Sequence, residues 1–94
     1  MQIQHQAVGR KGAFFVEENE EWLAELSYTR PSDNQMIIDH TEVDEQLRGQ
    51  NVGEQLVEAA VEFARAEKLQ IVPKCSFARS VLEKHPEFND VVAS

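Results

Sequence analysis

One thiol, three imidazoles and one glycine-containing loop ahead of a helix are the groups from which any chemistry of this chain must be built. Cys75 follows Pro73 and stands just before a segment, Ser76 onward, with helical spacing. The first-turn N–H groups and dipole of a helix favour the thiolate, which is the nucleophilic form. Lys74 and Arg79 strengthen that effect wherever they face the sulfur. The plainer reading of Cys75 is a small apolar residue lining a channel, because free Cys is among the most buried residue types. His40 and Glu42 are two positions apart in an extended run, which sets both on one face and Thr41 and Val43 on the other. Either could act as a base, directly or through a water, and the ordinary pKa of His40 lies near neutrality. Either is equally readable as a polar group satisfied by its neighbours.

The loop is Asp44-Glu45-Gln46-Leu47-Arg48-Gly49-Gln50-Asn51-Val52-Gly53. A strand that feeds such a loop and then a helix is a physical anion site, because the first helical turn has unpaired N–H groups and the positive end of the macrodipole. Gly49 permits positive φ, Gly53 permits close approach, and Arg48 adds a planar cation suited to phosphate. Two glycines before a helix are also what an ordinary turn uses. No metal site is expected: His5 and His85 lack partners at ligand spacing, and one Cys cannot build a Cys-rich site.

The elements that must position these groups follow from hydrophobic period. Ile3–Val8, Ala13–Glu17, Trp22–Tyr28 and Met36–Val43 read as four strands of an antiparallel meander, separated by turns at Gly9–Gly12, Glu18–Glu20 and Arg30–Asn34. Pro31 is expected to stop a ladder. From Asn51 to Lys68 the period becomes helical, with Val52, Leu56, Ala60, Phe63 and Ala64 on one side and Glu54, Glu58 and Glu62 on a solvated one. Gln70–Pro73 reads as a short strand and Ser76–Lys84 as a second helix with Phe77, Val81 and Leu82 inward. His85–Val92 reads as a turn and terminal segment. The expectation is an α+β fold with both helices packed on the sheet.

At 94 residues one domain over 1–94 is expected, and 9 Lys+Arg against 17 Asp+Glu give a formal −8. That balance opposes broad nucleic-acid or anionic-membrane binding, which needs a dense basic face. The acidic excess reads chiefly as solubility, with steering of a cationic acceptor as the sharper alternative. No window approaches 18 apolar residues and the start has no signal-peptide core, so a cytoplasmic location is expected. Monomer and homodimer both remain open, since an exposed strand edge can pair two chains.

Val43–Leu56, VDEQLRGQNVGEQL, resembles motif A of the GNAT acetyltransferase superfamily, Q/R-x-x-G-x-G/A, with Arg48 at its first position and Gly53 at its last. Asn51 replaces the middle glycine and is the non-Gly residue most tolerant of left-handed backbone. His40-Thr41-Glu42-Val43, Val72-Pro73-Lys74-Cys75-Ser76-Phe77 and Glu83-Lys84-His85-Pro86-Glu87-Phe88 extend the likeness to a small single-domain GNAT-like subfamily, from about Ala13 to Val92. The resemblance implies a mixed, mostly antiparallel sheet splayed between strands four and five, without the usual helices between strands one and two. It implies acetyl-CoA in that split, its pantetheine and pyrophosphate held by Val43 and by the backbone of Gly49, Gln50, Asn51, Val52, Gly53 and Glu54, beside Arg48. It implies N-acetyl transfer to an amine, either a small molecule or a peptide, with Cys75 facing the thioester. Val81 stands where that subfamily often has a tyrosine and cannot donate a proton, and Tyr28 is the only tyrosine. A non-catalytic acyl-CoA-binding or protein-interaction domain with eroded transferase residues is therefore the alternative.

Overall fold

The computed structural model describes residues 2–93, which form five strands and two α-helices: β1 Gln4–Val8, β2 Lys11–Glu18, β3 Glu21–Ser32, β4 Gln35–Val43, α1 Val52–Glu67, β5 Gln70–Pro73 and α2 Ser76–Lys84. Short 3₁₀ turns cover Glu45–Leu47 and Pro86–Val91. The sheet runs in sequence order, β1 to β4 antiparallel and β4 to β5 parallel. A parallel pair cannot be joined by a hairpin, and α1 supplies the crossover. Only Gly9 and Arg10 separate β1 from β2, so no helix lies between them.

One apolar cluster holds the fold together. Leu56, Val57, Ala60, Val61 and Ala64 of α1 pack on Leu26, Met36, Ile38 and Ile71 of the sheet, and Ala78, Val81 and Leu82 of α2 close it. Phe63 is only partly buried, and Phe77 is 42% exposed rather than inward. Pro31 also departs from expectation: β3 continues to Ser32, and the turn narrows to Asp33-Asn34. The ladder passes from Thr29↔Ile37 to Ser32↔Gln35, leaving Pro31 in an irregularity where no N–H is required of it. No helix among the described residues is long and apolar enough to cross a membrane.

β1 is exposed along its length, and one side chain ties it to the helix side of the sheet. The His5 ring stacks on Phe14 with centroids 4.2 Å apart, and its Nε2 lies 2.6 Å from the Tyr28 hydroxyl. Burial lowers the His5 pKa and, opposed by Arg30, raises that of Tyr28, so a phenol donates to a neutral imidazole. Gly12 makes room for this: a Cβ there would collide with the Tyr28 ring. A His whose native pKa is lowered stabilises the fold fully above its unfolded value of 6.5 and loses that contribution as pH falls through the native value. The melting temperature should therefore fall between about pH 7.5 and pH 5.5, where few carboxylates titrate. His5→Phe, which keeps the stack and removes the proton site, should flatten that interval; an equal slope in the variant would remove His5 from the explanation.

Candidate functional site

The sheet opens where β4 and β5 part. Their ladder covers only Gln35–Ile38 and Gln70–Pro73, and the N–H groups of Lys74 and Cys75 both donate to the Ile38 carbonyl, at 3.1 and 3.3 Å. Beyond that point Asp39–Val43 has no strand on its outer edge. Just there β4 is bulged: Ser27 pairs with His40 and Tyr28 with Ile38, leaving Asp39 unpaired, its carboxylate accepting from Thr29 Oγ1 at 2.8 Å. One extra residue reverses the alternation of faces. Met36 and Ile38 share the helix side with Tyr28, but after the bulge it is Thr41 and Val43 that do so, through their partners Leu26 and Ala24. His40 and Glu42 point to the opposite face and are exposed.

Past the end of β4 the chain makes the 3₁₀ turn, capped by Asp44, whose carboxylate accepts from the Gln46 N–H at 2.9 Å. Gly49 has φ +86, and Asn51 has φ 57 and ψ 32, so Asn51 carries the left-handed step that its side chain tolerates better than most. Asn51 caps α1 with no side-chain hydrogen bond. The N–H groups of Val52, Gly53 and Glu54 thus begin α1 without intrahelical partners. Arg48 is largely exposed and reaches Glu45 at 3.6 Å, a pair too solvated to fix it. Gln50 hands its carbonyl to Gln55 Nε2 at 3.0 Å.

A cavity of about 230 Å³ joins Val43 to this loop and to Phe77. It brings Val43, Arg48, Gly49, Asn51, Val52, Gly53 and Glu54 together; Gln50 does not line it. Phe77 is the residue that sequence reasoning misplaced. Its ring lies over the first turn of α1, so close that a Cβ at Gly53 would be 2.6 Å from Phe77 Cζ. The signal was a small residue in the first turn of one helix and a large one in the first turn of the next. His85 closes the same side, its Nε2 4.0 Å from Glu54 and its Nδ1 3.1 Å from Glu87.

Cys75 stands in the mouth of the split, half-buried, as the residue before α2. Its Sγ is 3.5 Å from Thr41 Oγ1 on β4. Burial pushes the thiol up, but the N–H groups of Ala78 and Phe77 and the hydroxyl and N–H of Thr41 together hold it below the ordinary value. The side chain makes no cap hydrogen bond, so the two α2 amides act on the sulfur as oriented dipoles. Thr41, which sequence reasoning did not single out, is therefore the thiol's side-chain partner. His40 and Glu42 lie on the other face of β4 and do not meet the thiol. Tyr28 is locked against His5, and Val81 is buried in the core. Among the described residues no group of three or more His, Cys, Asp or Glu side chains could hold a metal ion.

Residues 13–91 match the family described as GCN5-related N-acetyl-transferase. The solution structure of a GCN5-like protein from Staphylococcus aureus is 38% identical, with a TM-score of 0.72, and the alignment covers 97% of this chain and 88% of that one. A GNAT family acetyltransferase from Elizabethkingia anophelis with acetyl-CoA bound aligns at TM-score 0.61 and 16% identity, over 80% of this chain and 52% of that one. A ribosomal-protein-alanine N-acetyltransferase from Brucella melitensis biovar Abortus 2308 aligns at TM-score 0.64 and 13% identity, over 90% and 63%. The last two likenesses are of fold, and this chain spans about half to two thirds of their length. No curated protein matches.

The contact between Phe77 and Gly53 makes a measurable claim about why position 53 is glycine. Gly53→Ala should destabilise the fold, because overpacking costs about 1–3 kcal/mol against the ~1 kcal/mol that a helix gains from that exchange. Adding Phe77→Ala should recover most of the loss in a denaturant-unfolding double-mutant cycle. Additive losses would mean that Phe77 is not what reserves the position.

Proposed function

This chain belongs to the GCN5-related N-acetyltransferases, and from that premise we propose that it binds acetyl-CoA in the split between β4 and β5 and passes the acetyl group to an amine. The single observation that carries this reading is the conjunction of an unpaired β4 edge, Asp39–Val43, with the uncapped start of α1 across one small cavity. An extended edge supplies alternating N–H and C=O groups to an amide-bearing chain such as pantetheine, and a helix start supplies N–H groups and positive potential to a pyrophosphate. The solved structure from Elizabethkingia anophelis, which shares the fold, has acetyl-CoA bound. Val43, Gly49, Gln50, Asn51, Val52, Gly53 and Glu54 are the backbone contacts of the proposal, and Arg48 is its free-swinging cation. A single thiol suits the reducing cytoplasm.

Acetyl-CoA brings an acetyl group activated as a thioester; the chain must deprotonate the amine, polarise the carbonyl and see a proton delivered to the departing thiolate. In direct transfer the amine nitrogen forms the new C–N bond, the C–S bond breaks, and CoA leaves with the electron pair and gains a proton. Glu42 or His40 would take the proton from the amine on the open face. In the relayed form Cys75 Sγ is acetylated first, releasing CoA, and the amine then displaces the sulfur. A non-catalytic acyl-CoA binder is the second reading. One observation favours it: no phenol is near the split, since Tyr28 is held by His5 and position 81 is a buried valine.

Arg48→Glu should weaken acetyl-CoA binding about three- to tenfold in calorimetry, the size expected of one exposed cation near a phosphate; unchanged affinity would put the pyrophosphate elsewhere. Intact mass after incubation with acetyl-CoA should show one added acetyl group, absent in Cys75→Ala, if the relay operates. CoA release to an amine panel by Cys75→Ala at the unaltered rate would leave direct transfer alone. CoA bound tightly but never released from acetyl-CoA by any amine would establish the binder.

A further inference from the structure

The sheet face turned away from both helices has no function in the account so far, and the inference drawn from it rests on the acetyltransferase reading above. The register aligns its side chains in rows. Gln4, Phe15, Glu25 and Glu42 form one row across β1 to β4, and Gln6, Ala13, Ser27 and His40 the next. Ala13 and Phe15 are buried although they stand outside the core cluster, so something on this face covers them. For Phe15 it is Trp22, stacked at 4.0 Å with 10° between the ring planes. Trp22 is itself 37% exposed and offers its outer surface to solvent. Beside it a cavity of about 420 Å³ is bordered by Trp22, Glu25, Glu42, Val43 and Asp44. Val43 also borders the cavity at the start of α1, so the two cavities meet at the end of β4.

Charge identifies the occupant. Glu25 and Glu42 are direct cross-strand partners, an arrangement that puts like charges about 5 Å apart at the Cβ and is repulsive. Neither forms an ion pair among the described residues. Residues 4–47, the four antiparallel strands with their turns, carry ten carboxylates against three cations, Arg10, Lys11 and Arg30, while the remaining residues carry seven against six. The formal −8 of the chain is therefore an attribute of the sheet and its turns. Arg30 does not offset it on this face, for its guanidinium lies over Phe63 of α1 and pairs with Glu67; Arg10 pairs with Asp33, and Lys11 stands on this face opposite Thr29, away from the Glu25–Glu42 pair.

We propose that this face docks the acceptor, and that the acceptor is a lysine side chain carried by a basic peptide. The alkyl stem lies on Trp22 and the ammonium sits between Glu25 and Glu42, where it turns a repulsion into two attractions. Further cations of the peptide meet Glu17, Glu18, Glu20 and Glu21 at the β2–β3 turn. The two-residue link between β1 and β2 leaves the face without walls, which suits an extended peptide better than a small amine that must be enclosed. On arrival the lysine stands on the same face as His40 and Glu42.

The test is a titration of the full chain with an end-blocked hexalysine peptide, read by the fluorescence of Trp22, the only tryptophan. Saturable change that weakens steeply with added salt is the expected result. Glu25→Lys should weaken it about tenfold or more, while acetyl-CoA still raises the melting temperature of the variant. That substitution removes the Glu25–Glu42 repulsion, so the variant should melt no lower than the parent. An unmoved Trp22 signal, an affinity indifferent to Glu25→Lys, or spermidine binding there as tightly as the peptide would each overturn the proposal. Because binding is read without acetyl-CoA, the two readings fail separately. Peptide bound at Trp22 with acetyl-CoA turned over on no amine upholds the docking face and sinks the transferase; acetyl-CoA turnover on other amines with no peptide binding does the reverse.

Discussion

The divergence of β4 from β5 is the constraint on which the rest of the molecule depends. A strand edge inside a fold must find partners for its N–H and C=O groups, and Asp39–Val43 finds none in β5. Pro73 ends the ladder because it has no N–H to donate, and the next two amides bend back to the Ile38 carbonyl instead of advancing along β4. The terminal segment flanks β5 on its far side. Ile71 bridges Val92, and the Ala93 N–H donates to the Ile71 carbonyl at 2.9 Å. Arg65 secures that terminal segment, with Asp90 at 2.9 Å and the Glu87 carbonyl at 2.6 Å, and its hydrogen bond lowers the pKa of the Asp90 carboxyl. The gap thus opens where Pro73 ends the ladder, and the site owes its existence to a missing strand contact more than to any side chain.

The small size of the chain has a cost that the second sheet face shows. A sheet normally buries both faces or keeps one polar. Here the helices lie on one side only, and the other must be finished by its own residues. Phe15 would be an exposed aromatic on a bare sheet; the hairpin bulge at Glu17, which opposes Glu17 to Trp22, brings the indole over it. The remaining positions are polar or acidic, and acidic residues concentrated on one face keep that edge from pairing with other sheets. One feature, the acidic face, accordingly serves solubility whether or not it also receives a ligand.

Much of this was legible in residue order. Apolar period located the five strands and both helices, and the positive φ at Gly49 and Asn51 matches what Gly and Asn tolerate. What escaped depends on contacts between distant segments. Pro31 reads as a stop until Ser32 is seen pairing with Gln35 across the irregularity. The bulge at Asp39 leaves no local signature, because its cause is the fit of β3 against β4, yet it decides which face carries His40 and Glu42. Phe77 and Val81 are four residues apart and read as one buried face. Only Val81 stays inside, because α2 begins beyond the edge of the core and its first turn lies over Gly53. The 3₁₀ turn at Pro86–Val91 is fixed from outside by Arg65.

The bulge also sets the terms on which the chemistry can run. It leaves β4 as a wall one strand thick, with Cys75 and Thr41 on the helix side and His40 and Glu42 on the other. A proton acceptor on the open face can serve an amine that arrives there and attacks across the strand edge, with the thiol as part of the donor's channel. A relay through Cys75 requires the same amine to reach an acetyl group held on the helix side, where Thr41 is the sulfur's side-chain partner and which His40 and Glu42 do not face. The first route uses groups already on the correct faces; the second needs the acetylated sulfur to swing into the gap below Ile38. The contact with Thr41 belongs to the free sulfur, and acetylation and the swing both require that it be given up.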